Sequence, residues 1–274
     1  MSGFCLEFKN KEFDGPYEVS EIQISNNGQL FRGLLYFPSE NFKKPYSVVI
    51  YFHGFPQIFS LTEIVKNYKF LLDLGYAFIV FNFRGFRFSE GQVSINSQVS
   101  DSLKIIEFVE IMIKNNIFNI NDINILGHDF GAYIALILCS KINLINRLLL
   151  ISPILNVKKL VYSKDFPKTL SYINRFLPGN VKGTEIINQF IDLTKEELNN
   201  IEFQIENFLN YLKNRLLKII IGSIDKLSPL SEVKTILTNA NMPYELISII
   251  DMDHDCVDDE ELEKLNKEII NYFV

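Results

Sequence analysis

The chain is poor in cysteine and histidine, has no tryptophan, gathers its charge into no block and carries no long apolar run. Each shortage excludes something. The three cysteines, Cys5, Cys139 and Cys256, are odd in number and widely separated, so neither a disulfide framework nor a thiolate metal site is expected. Cys139 falls on an apolar helical stretch and reads as core. The three histidines, His53, His128 and His254, lie on separate loops without paired helical spacing, so no metal is expected. Lysine and arginine form no stripe, and the net charge of −6 is spread along the chain. A nucleic-acid surface is therefore not expected, and the acidic balance mostly reports solubility. No apolar stretch reaches the roughly 18 residues that a membrane helix needs. Residues 1–9 show no basic region followed by a hydrophobic one. These features predict a cytoplasmic protein without nucleic-acid or membrane partners.

What the chain does have is apolar sequence in regular alternation. With 274 residues, 47% hydrophobic and 22% charged, it can bury a sizeable core in one large α/β domain. Residues 18–25 and 29–37 flank Asn26-Asn27-Gly28, a hairpin signal. Apolar runs at 47–52, 77–83, 122–126, 147–151, 217–221 and 245–250 read as further strands. Helical spacing covers 61–74, stopping at Gly75, and recurs at 96–114, 130–141 and 258–272. A hairpin followed by strand–helix repeats implies a mostly parallel central sheet with helices on both faces. Residues 153–211 break the rhythm. They hold no clear strand, are interrupted at Pro167, Pro178 and Gly179, and at roughly 60 residues are too long for a plain connection. They are expected to form an inserted helical lid over a core of residues 1–152 and 212–274.

Ligands of open α/β sheets bind beyond the carboxyl ends of the strands. Four segments end there with polar residues: Tyr51-Phe52-His53-Gly54-Phe55-Pro56-Gln57, Gly127-His128-Asp129-Phe130-Gly131, Ile221-Gly222-Ser223-Ile224-Asp225-Lys226-Leu227-Ser228-Pro229, and Asp251-Met252-Asp253-His254-Asp255. The second is a strand running into a sharp, glycine-flanked turn and then a helix, the layout of a nucleophile elbow. Asp129 stands where that turn usually carries serine. The last three segments follow the order nucleophile, acid, base.

At these residues the chain resembles the α/β-hydrolase superfamily, and the resemblance covers most of its length. His53-Gly54-Phe55 is similar to the oxyanion-hole motif, and residues 84–91 are similar to the Arg-Gly-x-x-x-Ser-x-Gly segment after the fourth strand. The elbow, with His-Gly-Phe-Pro-Gln, resembles epoxide hydrolases and dehalogenases, which use an aspartate nucleophile. The framework at Ser89-Glu90-Gly91 and at Gly222-Ser223-Ile224-Asp225 resembles serine esterases of the feruloyl-esterase and acylaminoacyl-peptidase type. The resemblance implies Asp129 as nucleophile, His254 as base and Asp225 as its orienting acid, with the backbone amides of Phe55 and Phe130 as oxyanion donors. It also implies cap tyrosines that protonate an opening epoxide, for which Tyr162, Tyr172 and Tyr211 are candidates. Haloalkane dehalogenases use tryptophan for the halide, and this chain has none. Fluoroacetate dehalogenases carry arginine after the nucleophile, where Phe130 stands here.

Physical chemistry weighs on the choice. A carboxylate that displaces a leaving group from saturated carbon forms an alkyl ester, which activated water can hydrolyse. The same carboxylate attacking an ester would form an anhydride and expel an alkoxide, an uphill step. The first expectation is therefore a cofactor-free hydrolase acting on a small-molecule epoxide or carbon–halogen bond. An esterase-like hydrolase of carboxylic esters or thioesters in which Asp129 replaces serine is the alternative, and a catalytically inert binding protein is the third reading. A homodimer stays open. His53 and His128 are expected to brace the site, Arg84 to brace its loop, and Asp101 and Glu90 to be solvated.

Overall fold

Strand alternation divides the apolar side chains between two layers. Along β6 (Ala77–Asn82), Ala77, Ile79 and Phe81 join one buried cluster while Phe78 and Val80 join the other; β5 (Tyr46–Phe52) splits Val48, Ile50 and Phe52 from Val49 and Tyr51 in the same way. Strands buried on both faces need helices on both faces. In the computed structural model, which describes residues 4–5 and 12–274, α3 (Ile95–Lys114) and α4 (Phe130–Lys141) cover the first face. The second is covered by α1 (Leu61–Asn67), α2 (Phe70–Asp73) and α10 (Asp259–Phe273).

The strands are β1 (Phe4–Cys5), β2 (Glu12–Asp14), β3 (Tyr17–Asn26), β4 (Gln29–Tyr36), β5, β6, β7 (Phe118–His128), β8 (Arg147–Ile151), β9 (Leu216–Gly222) and β10 (Glu245–Ile249). Their order in the sheet is β1-β3-β4-β6-β5-β7-β8-β9-β10, with β2 paired to β3. From β6 through β10 every pairing is parallel, and β1 to β4 join antiparallel. The hairpin forms at the expected place: Asn27 and Gly28 both take positive φ, 52° and 77°, and Asn26 pairs with Gln29.

Three departures from the sequence expectations have local causes. The helix expected over 61–74 is two helices. Leu71 and Leu72 bond back to the carbonyls of Tyr68 and Lys69, which tightens the chain between α1 and α2, while the Tyr68 ring packs on Tyr51 and Phe78. An additional helix, α9 (Leu230–Asn239), follows β9 and buries Val233 and Leu237. Asp101 is fully buried rather than solvated, because Arg84 Nε (2.6 Å), the Arg84 amide (2.8 Å) and Asn26 Nδ2 (2.9 Å) all donate to it. A buried carboxylate persists only with such partners.

Between β8 and β9 the chain forms α5 (Val157–Val161), α6 (Phe166–Phe176), α7 (Ile187–Glu197) and α8 (Ile205–Phe208), with two short 3₁₀ turns. Phe166, Leu170 and Ile173 form the buried stripe of α6, at the spacing that sets one helical face inward. Among the described residues no helix is long and apolar enough to cross a membrane.

Candidate active site

The elbow is held by close packing. Gly131, on the first turn of α4, lies so near Phe52 and His53 that an added Cβ would fall on their carbonyl oxygens. Gly222, at the end of β9, has the same relation to the Met252 carbonyl. The two contacts let the loops after β5, β9 and β10 converge on the turn between β7 and α4. Asp129 sits in that turn with φ 54° and ψ −122°, a conformation that L-residues adopt only when the surroundings enforce it. Its amide donates to Ile151 O (3.0 Å), and its carbonyl accepts from Ala132 (3.2 Å) and Ile154 (3.3 Å).

The carboxylate is divided between two partners. Oδ2 accepts the Phe55 amide at 2.6 Å, and Oδ1 lies 3.2 Å from His254 Nε2. The other imidazole nitrogen, Nδ1, lies 3.0 Å from each oxygen of Asp225. Asp225 Oδ1 in turn accepts the amides of Leu227 (2.9 Å) and Ser228 (2.8 Å). Asp129, Asp225 and His254 are all buried. Burial by itself would lower the His254 pKa, but hydrogen bonds and charge from Asp129 and Asp225 outweigh it and raise the value to about 10. Burial would likewise raise Asp225, yet its bond to His254 brings it below the usual carboxylate value. The two carboxyl groups thus favour the imidazolium form of His254.

The other expected residues fall in different places. Phe130 opens α4, and no hydrogen bond joins its amide to Asp129; it is one of the open donors of the first helical turn. Tyr172 lines the cavity in front of Asp129, but its side chain is largely exposed and packs at a tilt on Phe176, ring centroids 4.5 Å apart. Tyr162 lies outside the cavity lining, next to Lys195, and Tyr211 lines a separate surface depression with Ser140 and Lys141. The three do not assemble into a pair facing the carboxylate. The second tyrosine of the cavity among the described residues is Tyr51, from β5, which opens the first polar segment of the sequence but was expected to carry no role. Its only signal was its place two residues before His53.

The bracing residues are visible in their bonds. His53 Nε2 accepts the Phe83 amide at 3.1 Å while Nδ1 lies 2.9 Å from the Gly54 carbonyl, so Nδ1 carries the proton. Burial pushes this ring down to about 4, and it stays neutral. His128 Nε2 lies 3.1 Å from the His254 carbonyl, and the two rings are 5.9 Å apart. Arg87 Nη2 donates to the carbonyls of Gln57 (3.0 Å) and Ile58 (2.8 Å). Asp253 Oδ1 accepts two amides of its own turn, and Asp255 lines the cavity, where burial raises its pKa.

The cavity measures about 260 Å³ and is walled mainly by apolar side chains, among them Phe55, Ile154, Leu160, Phe166 and Ile173. Among the described residues no lysine or arginine lines it, and no group of three histidine, cysteine or acidic side chains is placed to hold a metal ion.

A family model for the alpha/beta hydrolase fold matches residues 47–199. The chain belongs to the α/β-hydrolase fold family. The match contains the His53-Gly54-Phe55 loop and the Asp129 elbow and stops short of Asp225 and His254. Among curated proteins the chain is similar to the lysophosphatidylserine lipase ABHD12 of Danio rerio, 29% identical over 144 residues, which are 51% of this chain and 35% of that protein. It is similar to that of Xenopus tropicalis at 29% over 138 residues, 49% of this chain and 33% of the other. The chain thus spans about a third of the length of the curated relatives it matches. Of solved structures, Est1E from Butyrivibrio proteoclasticus superposes with a TM-score of 0.67 at 15% identity, over 92% of this chain and 97% of that one. An esterase domain of a Rhodothermus marinus protein superposes with a TM-score of 0.63 at 15% identity, over 93% and 97%. At such identity the superpositions concern the fold alone.

Proposed function

We propose that the protein is a cofactor-free hydrolase in which Asp129 attacks a saturated carbon, forming an alkyl ester that His254-activated water then cleaves. The carrying observation is the division of the carboxylate, Oδ2 on the Phe55 amide and Oδ1 beside His254 Nε2. In the first step Oδ1 forms a bond to carbon, and the leaving group departs with the electron pair of the broken bond. Alkylation neutralises Asp129 and removes one of the two charges that hold the His254 proton. Burial then works against the imidazolium, and the proton passes to the departing anion or to solvent. In the second step neutral His254 takes a proton from water, and the resulting hydroxide adds to Asp129 Cγ. The negative charge develops on Oδ2, where the Phe55 amide already points. Collapse expels the alkoxide, which takes the proton back from His254, and Asp129 is restored. Asp225 orients the ring throughout.

The lining favours uncharged electrophiles. Among the described residues a haloacid would find only the His254 cation, beside Asp129 and Asp255. An epoxide or a carbon–halogen bond on an apolar skeleton fits better, with the helices of residues 153–211 acting as the lid that selects it. A second reading, hydrolysis of carboxylic esters with Asp129 as a base, is favoured by the names of the lipase and esterase relatives. Against it, the carboxylate itself takes the Phe55 donor that an ester carbonyl would need.

A single turnover in heavy-oxygen water separates the two. An alkyl-ester route gives a first product whose new oxygen is light, drawn from Asp129, and leaves heavy oxygen in the Asp129 carboxylate. Direct attack by water puts heavy oxygen in the first product and none in Asp129, and would overturn the proposal.

A further inference from the structure

We infer that the reactive cavity continues into a second, apolar chamber that receives the substrate's tail and binds an uncharged hydrogen-bonding group at its tip through Gln98. The chamber measures about 40 Å³ and shares Phe55, Ile154, Leu160 and Phe166 with the reactive cavity, so the two adjoin at these side chains. Phe130, the residue after Asp129, also lines it, which sets the chamber beside the elbow.

The remaining wall is apolar with few polar interruptions. Ser94 Oγ accepts the Ser97 amide at 3.0 Å, and Thr194 Oγ1 donates to the Phe190 carbonyl at 2.8 Å, so each already has a protein partner. Gln98 differs. It is 1% exposed, and neither Nε2 nor Oε1 has a hydrogen-bond partner. Among the described residues lining the chamber it is the one side chain in that state. An amide buried without partners is destabilising, and native proteins keep such groups for a reason. The position is fixed as well: Ser94, four residues before Gln98, caps α3, and Glu197 accepts the amides of Ile95 (2.8 Å) and Asn96 (3.1 Å).

The chemistry of the amide names the ligand class. Its NH₂ donates and its carbonyl accepts, which complements a hydroxyl that does both. Among the described residues no lysine, arginine, aspartate or glutamate lines the chamber, so a charged terminus would be buried without a counter-ion. The occupant is therefore a short alkyl chain ending in a hydroxyl, attached to the reacting carbon that faces Asp129. This identification rests on the reading of Asp129 and His254 as the reactive centre.

The test is calorimetric binding to Asp129→Asn protein, which keeps the shape of the site but cannot react, and to the same protein with Gln98→Leu. The probes are 6-chlorohexan-1-ol and 1-chlorohexane, which differ only at the tip. The hydroxylated probe is expected to bind on the order of tenfold more tightly to the first protein, and the preference is expected to vanish or reverse in the second. Gln98→Leu alone should melt no lower than wild type, since leucine fills a similar volume without an unpaired amide. Equal binding of the two probes to Asp129→Asn protein, a preference that survives Gln98→Leu, or a clear fall in its melting temperature would each overturn the inference. Whether Asp129 becomes alkylated is read separately from wild-type protein by mass. Loss of the alkyl-ester reading therefore shows itself independently of the chamber.

Discussion

The two walls of the reactive cavity are built in opposite ways. On the wall made by the loops after β5, β7, β9 and β10, the polar groups form a closed chain. The Phe55 amide meets Asp129, Asp129 meets His254, His254 meets Asp225, and Asp225 is held by two amides of its own loop. On the wall made by α5 and α6, the side chains are apolar or face solvent, and among the described residues no hydrogen bond from that wall reaches the carboxylate. The first wall leaves little freedom in what the site does to a bond. The second can change its side chains without disturbing the first, so selectivity is free to drift while the chemistry is held.

The largest expected effect falls on the first wall. Asp129→Asn should lower kcat on the order of 10⁴-fold against any substrate the wild type turns over. Steady-state kinetics across a panel of epoxides, haloalkanes and short esters checks this, and wild-type-like turnover by the variant would break the contrast. Asp225→Asn comes next, at roughly 10³-fold, because the ring loses the partner that fixes its orientation. The measurement is kcat against pH, and a loss confined to KM would count against an orienting role.

A third prediction concerns pH. The folded state raises His254 from 6.5 to about 10, so its contribution to stability is complete below 6.5 and is lost as pH rises through 10. Melting temperatures taken across that interval should fall steadily for wild type. In Asp129→Asn one of the two stabilising charges is gone, and the fall should be shallower. Identical slopes for the two proteins would mean that the imidazolium is not shared between the carboxylates. On the second wall the effects shrink. Tyr172→Phe should change kcat/KM by less than about threefold, since the side chain is mostly exposed and has no hydrogen bond to the site. Tyr211→Phe should leave kinetics unchanged, and a large loss at either tyrosine would move proton donation onto the helical wall.

The same contrast governs what could be read from sequence. The first wall was legible because backbone constraints write it: the glycines flanking Asp129, the His-Gly pair after a buried strand, and the order of Asp225 and His254 after two further strands. Helix α9 was equally readable, with Leu230, Val233 and Leu237 at helical spacing after Pro229, although the sequence reading passed over it. The break between α1 and α2 was not readable, because the apolar spacing of Ile64, Val65, Tyr68, Leu71 and Leu72 runs straight through it. What divides the helix is tertiary packing of the Tyr68 ring. The helical wall was the least legible. Spacing put Tyr162, Tyr172 and Tyr211 in one segment, but the paths of the connections decide which of them faces the carboxylate. The burial of Asp101 on α3 was hidden for a similar reason, since its partner Arg84 comes from the loop after β6.

The most direct measurement is a mass spectrum of His254→Gln protein after incubation with an epoxide or haloalkane that the wild type consumes. Without the base, the first step proceeds and the second stalls, so a substrate-sized adduct should accumulate and map by peptide fragmentation to Asp129. An unmodified Asp129 in the variant, with the substrate still consumed by the wild type, would contradict an aspartate nucleophile.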